Sequence, residues 1–339
     1  MKIVFFTRLY YPHRGGVEKH VFEISKRLKE EGHDITIFTE DIPEVKKDTK
    51  DEFRVIRLKV GKDDFGKKDR IWKALWRHNE IIFDADIVHC HDVFFWYLPF
   101  KILRPLKKVY TTFHGYETVF PPRKRAILIR KISEILSTGS INVGDYISKW
   151  YFSRPTFVTY GGVDVPYKAE VKKRGKRIKI AFVGRIEEDN GVYIFSEILN
   201  ILSNQGFDFE FTASGDGSLK KEFQRYGEVK GFEDDSSLTI KNADIVFASS
   251  YLSILESLVQ KKLVFSIFQN NLKKDYLKMS PLNDFVVSAG DPMSIVHELK
   301  KYILNEKMWN DKVEEGYEFA SRQTWENVLH VYKKLWRIK

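Results

Sequence analysis

The chain carries the same strand, loop, helix and strand pattern twice, and this repetition limits the possible fold more than any other feature. Its copies open with apolar runs at residues 3–6 and 180–183. In each copy a loop, an amphipathic helix and a further strand follow, and the helices end at Gly32 and Gly206. Continuous apolar runs are typical of parallel strands covered on both faces. The pattern therefore predicts two α/β domains, each built on a right-handed parallel βαβ unit.

A glycine-containing stretch, Tyr160–Asp164, separates the two copies, so we place the domain boundary there. A chain of 339 residues suits two domains of about 150 residues better than one. We predict a first Rossmann-like domain at 1–160, a second at 161–318, and a C-terminal helix within 319–339 that returns to the first domain. Two such domains are expected to face each other across a cleft, where ligands commonly bind.

Basic residues are concentrated in the first half of the chain. Of the net charge of +10, residues 1–170 supply +8, and residues 101–131 contain nine Lys or Arg against the single acidic residue Glu117. A field of this sign attracts partners that carry phosphate. With aromatic residues in the same stretch, 93–131 is a candidate surface for an anionic membrane. The alternative is an ordinary solvated helix face, and no module for nucleic-acid binding is recognised.

Composition also bears on location and on metal chemistry. No apolar run approaches the roughly 18 residues of a membrane-spanning helix. The one cysteine, Cys90, excludes an intramolecular disulfide and a cysteine-cluster metal site, which favours a reducing cytoplasm. The pair His89 and His91 has a spacing that could suggest a metal, but we interpret both as loop histidines with local hydrogen bonds.

Two candidate ligand contacts lie in the first half. Gly15 and Gly16 stand at the entrance to a helix, where backbone N–H groups and the helix dipole favour a phosphate; a tight turn without a ligand is the alternative. The pattern lacks the full G-x-G-x-x-G motif, so a nicotinamide-dependent dehydrogenase is disfavoured. His114 follows the strand 109–113, at the end where ligand groups project, and can exchange a hydrogen bond or proton with a hydroxyl.

Two further candidates lie in the second half. Arg185 follows the strand 180–183, and a guanidinium at that end of a strand is suited to bidentate phosphate binding. Glu256 is predicted in the first turn of a helix that runs through Val259. There it would either bind a ligand or only complement the helix dipole.

Together these motifs resemble those of glycosyltransferase family 4, in the same order and over nearly the whole chain. The motifs that carry the resemblance are Pro12–Glu18, Phe113–Glu117, Tyr160–Asp164, Val183–Arg185, Gly215–Gly217, Gly231–Phe232 and Leu255–Leu258. The resemblance implies the GT-B architecture of two Rossmann-like domains. It also implies retaining transfer of a sugar from a nucleotide diphosphate sugar to a glycan or lipid-linked acceptor.

Residue roles follow from the resemblance. His114 would contact the transferred sugar, Arg185 the donor diphosphate and Glu256 the ribose hydroxyls. The full set expected at the donor is Gly15, Gly16, Arg185, Asn190, Gly215, Ser253 and Glu256. Arg123, Lys124 and Arg125 would lie on the acceptor or membrane side. No cofactor or metal is implied, because cationic side chains and helix N-termini stabilise the leaving group, and the lobes would close about Gly161 and Gly162.

The donor-side motifs also depart from the family pattern. Asn190 stands where a lysine usually follows the arginine, and the acidic run 187–189 precedes it. Ala248 occupies the nominal position of the first glutamate of the paired-glutamate motif, in a segment shortened by a few residues. An alternative function is therefore a catalytically weakened relative that binds a nucleotide, glycan or partner. A GT-B epimerase or phosphorylase also stays open, because fold alone does not define function.

Overall fold

The structure is a computed structural model, and it describes residues 1–41, 53–61, 65–115, 119–166, 175–233 and 236–338. Of the motif residues quoted above, Tyr116 and Glu117 lie outside these ranges. The chain divides into two compact units. The first unit comprises residues 1–159 with 325–339, and the second unit comprises residues 160–324.

In the described part of the first unit, seven parallel strands form one sheet in the order β3-β2-β1-β4-β5-β6-β7. The strands are β1 Lys2–Thr7, β2 Asp34–Glu40, β3 Arg54–Leu58, β4 Ile87–His91, β5 Val109–Phe113, β6 Gly139–Val143 and β7 Phe157–Thr159. The helices between them are α1 Gly16–Glu30, α2 Lys67–Trp76, α3 Asn79–Asp84, α4 Phe94–Leu103, α5 Lys124–Leu136 and α6 Tyr146–Tyr151.

In the described part of the second unit, six parallel strands form a sheet in the order β10-β9-β8-β11-β12-β13. They are β8 Ile178–Val183, β9 Phe209–Ser214, β10 Gly227–Val229, β11 Ile245–Phe247, β12 Leu263–Ile267 and β13 Val287–Ala289. The helices are α7 Val192–Asn204, α8 Lys220–Gln224, α9 Ser237–Asn242, α10 Tyr251–Leu258, α11 Asn271–Lys278, α12 Pro292–Leu304 and α13 Glu306–Ala320, with 3-10 turns at Glu188–Asn190 and Pro281–Asp284. Two parallel sheets flanked by helices confirm the predicted α/β class.

The C-terminal helix, α14 Trp325–Trp336, belongs to the first unit and packs against α1. Arg27 of α1 donates to Glu326 at 2.8 Å, which ties the two helices together at their surface. Val328 and Leu335 of α14 are buried. None of the described helices combines the length and the apolar character that a bilayer-spanning helix needs.

Strand alternation divides the core of the first unit between the two faces of its sheet. On one face, Val4 and Phe6 join Val88 and Cys90 in an apolar cluster. On the other face, β1 and β4 present Phe5 and the two histidines of β4, since Phe5 is in register with His89. The buried histidines of β4 therefore lie on this second face of the sheet.

Candidate active site

Four loops of the second unit follow strands that are neighbours in the sheet, β9, β8, β11 and β12. Because the strands are parallel, their carboxyl ends meet at one edge, where ligands bind in open α/β sheets. The loop after β8 contains Arg185, that after β9 contains Gly215, that after β11 contains Ser249, and that after β12 contains Gln269. The fold therefore brings Arg185 and Gly215 of the expected donor set to the same sheet edge.

Gly215 is required by the backbone packing of this edge. Its φ is +148°, and a Cβ atom there would lie 1.8 Å from the carbonyl oxygen of Gly184. A Cβ on Gly217 would likewise lie 2.3 Å from the carbonyl oxygen of Ile186. The two glycines thus let the loop after β9 pack on the loop that carries Arg185, which gives Gly215 a structural role, while its contact with a donor stays a prediction.

Arg185 is held by its own loop. The half-exposed guanidinium donates from Nη2 to Asp189 Oδ2 at 2.8 Å, and Asn190 donates from Nδ2 to the carbonyl oxygen of Arg185 at 2.9 Å. Glu187 accepts from the backbone N–H of Ser218 at 2.8 Å and from its hydroxyl, and these two bonds lower the pKa of the carboxyl. The acidic run therefore orients the loop and offsets part of the arginine charge.

The predicted position of Glu256 in the first helical turn is wrong. Helix α10 begins at Tyr251, because Ser250 before it is extended and the N–H of Tyr251 donates to Tyr276 Oη at 2.8 Å. Glu256 is the sixth residue of the helix and is half-buried. The helix dipole favours a carboxylate only within the first turn, so it does not explain Glu256 at the sixth position. Its contact with ribose hydroxyls stays a prediction.

Ser253, another expected donor contact, has its hydroxyl engaged at the start of α10. The Oγ atom donates to the carbonyl oxygen of Ser250 at 3.0 Å and lies 2.7 Å from Ser250 Oγ. The proposed hinge residue Gly161 packs on the same helix start. It has φ +89°, and a Cβ atom there would lie 2.5 Å from Leu252 Cδ2. Both residues therefore shape the N-terminus of α10.

Lys273, which the sequence analysis missed, is buried beside this helix start. Its Nζ donates to the carbonyl oxygen of Ser249 at 3.1 Å, and the residue is 4% exposed. Burial lowers the pKa of the ammonium to about 8, with the Asp189 carboxylate raising it and the Arg185 guanidinium lowering it further. One signal was available: at helical spacing Lys273 shares the buried face of α11 with Tyr276 and Leu277.

In the first unit, the N-terminus of α1 is faced by a carboxylate of the same helix. Gly15 is extended, with φ −170°, and Glu18 is 6% exposed. Glu18 Oε1 lies 3.0 Å from His13 Nδ1, and a Cβ atom on Gly15 would lie 2.4 Å from Glu18 Oε2. The tight-turn alternative accounts for this local packing, and phosphate binding at Gly15 and Gly16 stays a prediction.

His114 follows β5 and is supported from beneath by β4. Its Nε2 lies 2.8 Å from His91 Nδ1, and its backbone N–H donates to Asp92 Oδ1 at 3.2 Å. Burial lowers the pKa of both imidazoles well below the ordinary range, so both are neutral at pH 7. The next residue, Gly115, accepts from the buried Arg130 at 2.7 Å. Arg130 thus supports the His114 loop and does not belong to an outward basic surface.

The interpretation of His89 and His91 as loop histidines is wrong. Both lie in β4 and are buried, at 0% and 1% exposure. Trp336 of α14 donates to His89 Nδ1 at 3.0 Å, so the neutral ring carries its proton on Nε2 and donates to Thr112 Oγ1 at 2.7 Å. The loop assignment failed because α14, from the far end of the chain, supplies the hydrogen-bonding partner that lets a histidine be buried in a strand.

The chain of hydrogen bonds continues through α14 to α1. Thr112 Oγ1 lies 2.8 Å from Tyr332 Oη, which lies 2.9 Å from His20 Nε2. With Thr112 accepting from His89, a consistent arrangement has Thr112 donating to Tyr332 and Tyr332 donating to His20. Across the ranges that the structure describes, no three His, Cys, Asp or Glu side chains are arranged to hold a metal ion.

The candidate membrane segment has exposed charge and exposed apolar side chains together. Arg123, Lys124 and Arg125 are exposed at the start of α5. The exposed apolar side chains of 101–131 include Ile102, Leu103, Leu106, Phe120 and Leu128. The segment therefore presents both kinds of group that an interfacial surface needs.

The chain is similar to known glycosyltransferases. The model of glycosyltransferase family 4 matches residues 14–165. The uncharacterized glycosyltransferase MJ1178 of Methanocaldococcus jannaschii is 22% identical, over 98% of this chain and 97% of that protein. Among solved structures, a glycosyltransferase from Rickettsia africae matches with a TM-score of 0.74 at 17% identity, over 98% of both chains. Anabaena HepE, crystallised in complex with UDP, matches with a TM-score of 0.74 at 13% identity, over 98% of this chain and 99% of that chain.

Proposed function

We propose that this chain, a glycosyltransferase of the family 4 type, moves a sugar from a nucleotide diphosphate sugar to a glycan or lipid-linked acceptor with retention of configuration. The observation that carries the proposal is the convergence of the Arg185 loop and the start of α10 at one sheet edge of the second unit. A guanidinium and a helix N-terminus both favour a phosphate. The complex of the similar Anabaena protein with UDP supports the same donor class.

In this proposal Arg185 binds the donor diphosphate and Glu256 accepts from the ribose hydroxyls. As the bond between the anomeric carbon and the diphosphate oxygen breaks, negative charge grows on the leaving group. Arg185 and the N-terminus of α10 stabilise that charge without a proton transfer. The acceptor oxygen then forms the new bond on the same face of the sugar, and its proton passes to the departing diphosphate.

His114 would donate a hydrogen bond to the transferred sugar. The Nε2 atom of His91 is buried without a hydrogen-bonding partner among the described residues. A bare nitrogen there costs less than a buried N–H without an acceptor, so we place the His91 proton on Nδ1, where it donates to His114 Nε2. His114 then carries its proton on Nδ1, which is the nitrogen left to face a hydroxyl.

One observation favours the weaker alternative, a protein that binds nucleotide, glycan or a partner without efficient transfer. The Arg185 guanidinium already pairs with Asp189 at 2.8 Å, so a phosphate must compete with a carboxylate for it. Such competition lowers donor affinity. It would also leave a bound donor poorly positioned for transfer.

Isothermal titration with uridine, guanosine and adenosine diphosphate sugars tests the proposal. We expect one donor to bind saturably and to be hydrolysed slowly, with both properties reduced at least about tenfold in Arg185→Ala and Glu256→Gln. Arg225→Ala is the matched control, because Arg225 is exposed at the C-terminal end of α8 and pairs locally with Glu222. Binding without hydrolysis supports the weakened alternative. If no donor binds, the transferase is contradicted, and the alternative that binds a glycan or a partner is left ahead.

For the acceptor side, we propose a cytoplasmic location with peripheral contact at the inner membrane face. The exposed basic and apolar side chains of residues 93–131 support it. Charge reversal at Arg123, Lys124 and Arg125 should abolish sedimentation with anionic liposomes and reduce transfer to a lipid-linked acceptor. Reversal at three exposed lysines of the second unit, Lys274, Lys278 and Lys307, is the control of equal charge change. If wild-type protein does not sediment, the membrane contact is dropped.

A further inference from the structure

Lys273 places a buried cation next to the start of α10. It is the third residue of α11, and its Nζ reaches across to the carbonyl oxygen of Ser249 at 3.1 Å. The ammonium also lies 4.6 Å from the ring centroid of Tyr276. Ser249 directly precedes Ser250, the N-cap of α10. The lysine charge is therefore held at the positive end of the helix that the proposed function assigns to the donor.

The loop that leads into α11 is joined to the loop of Arg185. Gln269 donates from its side-chain amide to the carbonyl oxygen of Glu188. A Cβ atom on Gly191 would lie 1.8 Å from Ile267 Cδ1 and 3.6 Å from Gln269 Nε2, so the two loops are in close contact. The Asp189 carboxylate raises the pKa of Lys273 and the Arg185 guanidinium lowers it. Lys273 is therefore within electrostatic reach of the Arg185 loop.

A second polar group at this position points to a ligand. The Oγ atom of Ser249 is buried and has no hydrogen-bonding partner among the described residues, and the residue is 3% exposed. A buried hydroxyl without a partner calls for an explanation. An ammonium, a hydroxyl and a helix N-terminus together form the usual recognition set for a phosphate oxygen.

We propose that Lys273 binds the diphosphate of the nucleotide sugar, supplying from α11 the second cation that is missing at Asn190. Ser249 Oγ donates to the same group. This inference rests on the proposed function, since it names a further contact of the donor site. The diphosphate is then held by Arg185 from the loop after β8 and by Lys273 from the helix after β12, two strands that are separated in the sheet only by β11.

Isothermal titration with UDP, GDP, ADP and inorganic pyrophosphate, and with the three nucleosides, tests the inference. Lys273→Met keeps most of the side-chain volume and removes the charge. We expect it to weaken binding of the diphosphate that the wild type prefers by about 10- to 100-fold, since a hydrogen bond to a charged group is lost. Nucleoside affinity should not change. Ser249→Ala should weaken binding of the same diphosphate by about three- to tenfold.

Lys274→Met is the matched control, because this neighbouring lysine is exposed on the same helix. It should leave diphosphate affinity within about twofold. Thermal unfolding establishes which variants are folded, and Ser249→Ala tests the site independently if Lys273→Met does not fold. Unchanged diphosphate affinity in a folded Lys273→Met or Ser249→Ala variant overturns the inference alone. If the wild type binds none of the diphosphates or pyrophosphate, the proposed function is overturned and this inference with it.

Discussion

Acid should destabilise the first unit through its buried histidines, and His20 allows that effect to be isolated. His20 is 2% exposed, and burial lowers its pKa to about 3. In the unfolded chain a histidine titrates near pH 6.5. Below that pH the unfolded state takes up a proton that the folded state does not, so stability present above pH 6.5 is lost as pH falls.

The size of the effect follows from the two pKa values. Between pH 7.5 and pH 5, a histidine with pKa about 6.5 unfolded and about 3 folded lowers the free energy of unfolding by about 2 kcal/mol. His89 and His91 are buried as completely, and their pKa values are lowered in the same direction. Their contributions add to that of His20, so a unit of ordinary stability should lose much of it by pH 5.

Urea unfolding of wild type and His20→Gln at pH 7.5 and pH 5 measures the contribution of this one group. Tryptophan fluorescence reports mainly on the first unit, because of the seven tryptophans only Trp309 lies in the second. The loss of unfolding free energy between the two pH values should be about 2 kcal/mol smaller in the variant. Costs of the substitution that do not depend on pH cancel in this difference.

The control for this measurement is His330→Gln, which removes an exposed histidine from α14. It should leave the loss between pH 7.5 and pH 5 as it is in the wild type. If His20→Gln also loses as much as the wild type, within about 0.5 kcal/mol, then burial does not keep His20 neutral in the folded state. The reasoning about the buried histidines would then be refuted.

Two further substitutions, each paired with a control substitution, test the packing around the candidate sites. Tyr332→Phe removes a hydroxyl with two buried hydrogen-bonding partners. It should lower the free energy of unfolding, measured by urea unfolding, by about 2–4 kcal/mol. The control Tyr193→Phe, at a half-exposed tyrosine, should change this free energy by less than about 0.5 kcal/mol. Gly215→Ala places a Cβ against the Gly184 carbonyl at 1.8 Å and should cost at least about 3 kcal/mol. Gly206→Ala should cost only about 1 kcal/mol by thermal unfolding, because no atom lies within 4 Å of the added Cβ. Equal costs for the two members of either pair would contradict the corresponding contact.

The fold was predictable because its main signals are local. The apolar runs at residues 3–6 and 180–183, each followed by a helix that a glycine ends, lie within the strands Lys2–Thr7 and Ile178–Val183 of the structure. The polar interior of the first unit was not predictable in this way. His89 is buried because Trp336 and Thr112 satisfy its ring nitrogens, and the first of these comes from a helix at the other end of the chain. No local sequence pattern shows that Trp336 donates a hydrogen bond to His89.

The position of Glu256 shows the same limit at short range. Spacing alone suggested a helix beginning near the glutamate. The helix begins earlier because Tyr276, a residue of α11, accepts the first N–H of α10 and stacks on Tyr251 at 3.9 Å. A contact between two helices thus decides where one of them starts, and with it which side chains lie in the first turn.

The donor side shows why a missing motif residue is weak evidence for a missing charge. Asn190 lacks the expected cation, yet Lys273, from the helix that follows a different strand, is buried against the start of α10. In a parallel sheet the carboxyl ends of neighbouring strands meet at one edge, so a charge can be supplied from either loop. A sequence motif that covers one loop shows only the charges of that loop. The affinity of Lys273→Met for diphosphate therefore bears directly on whether this chain is a weakened relative or a transferase with a rearranged donor site.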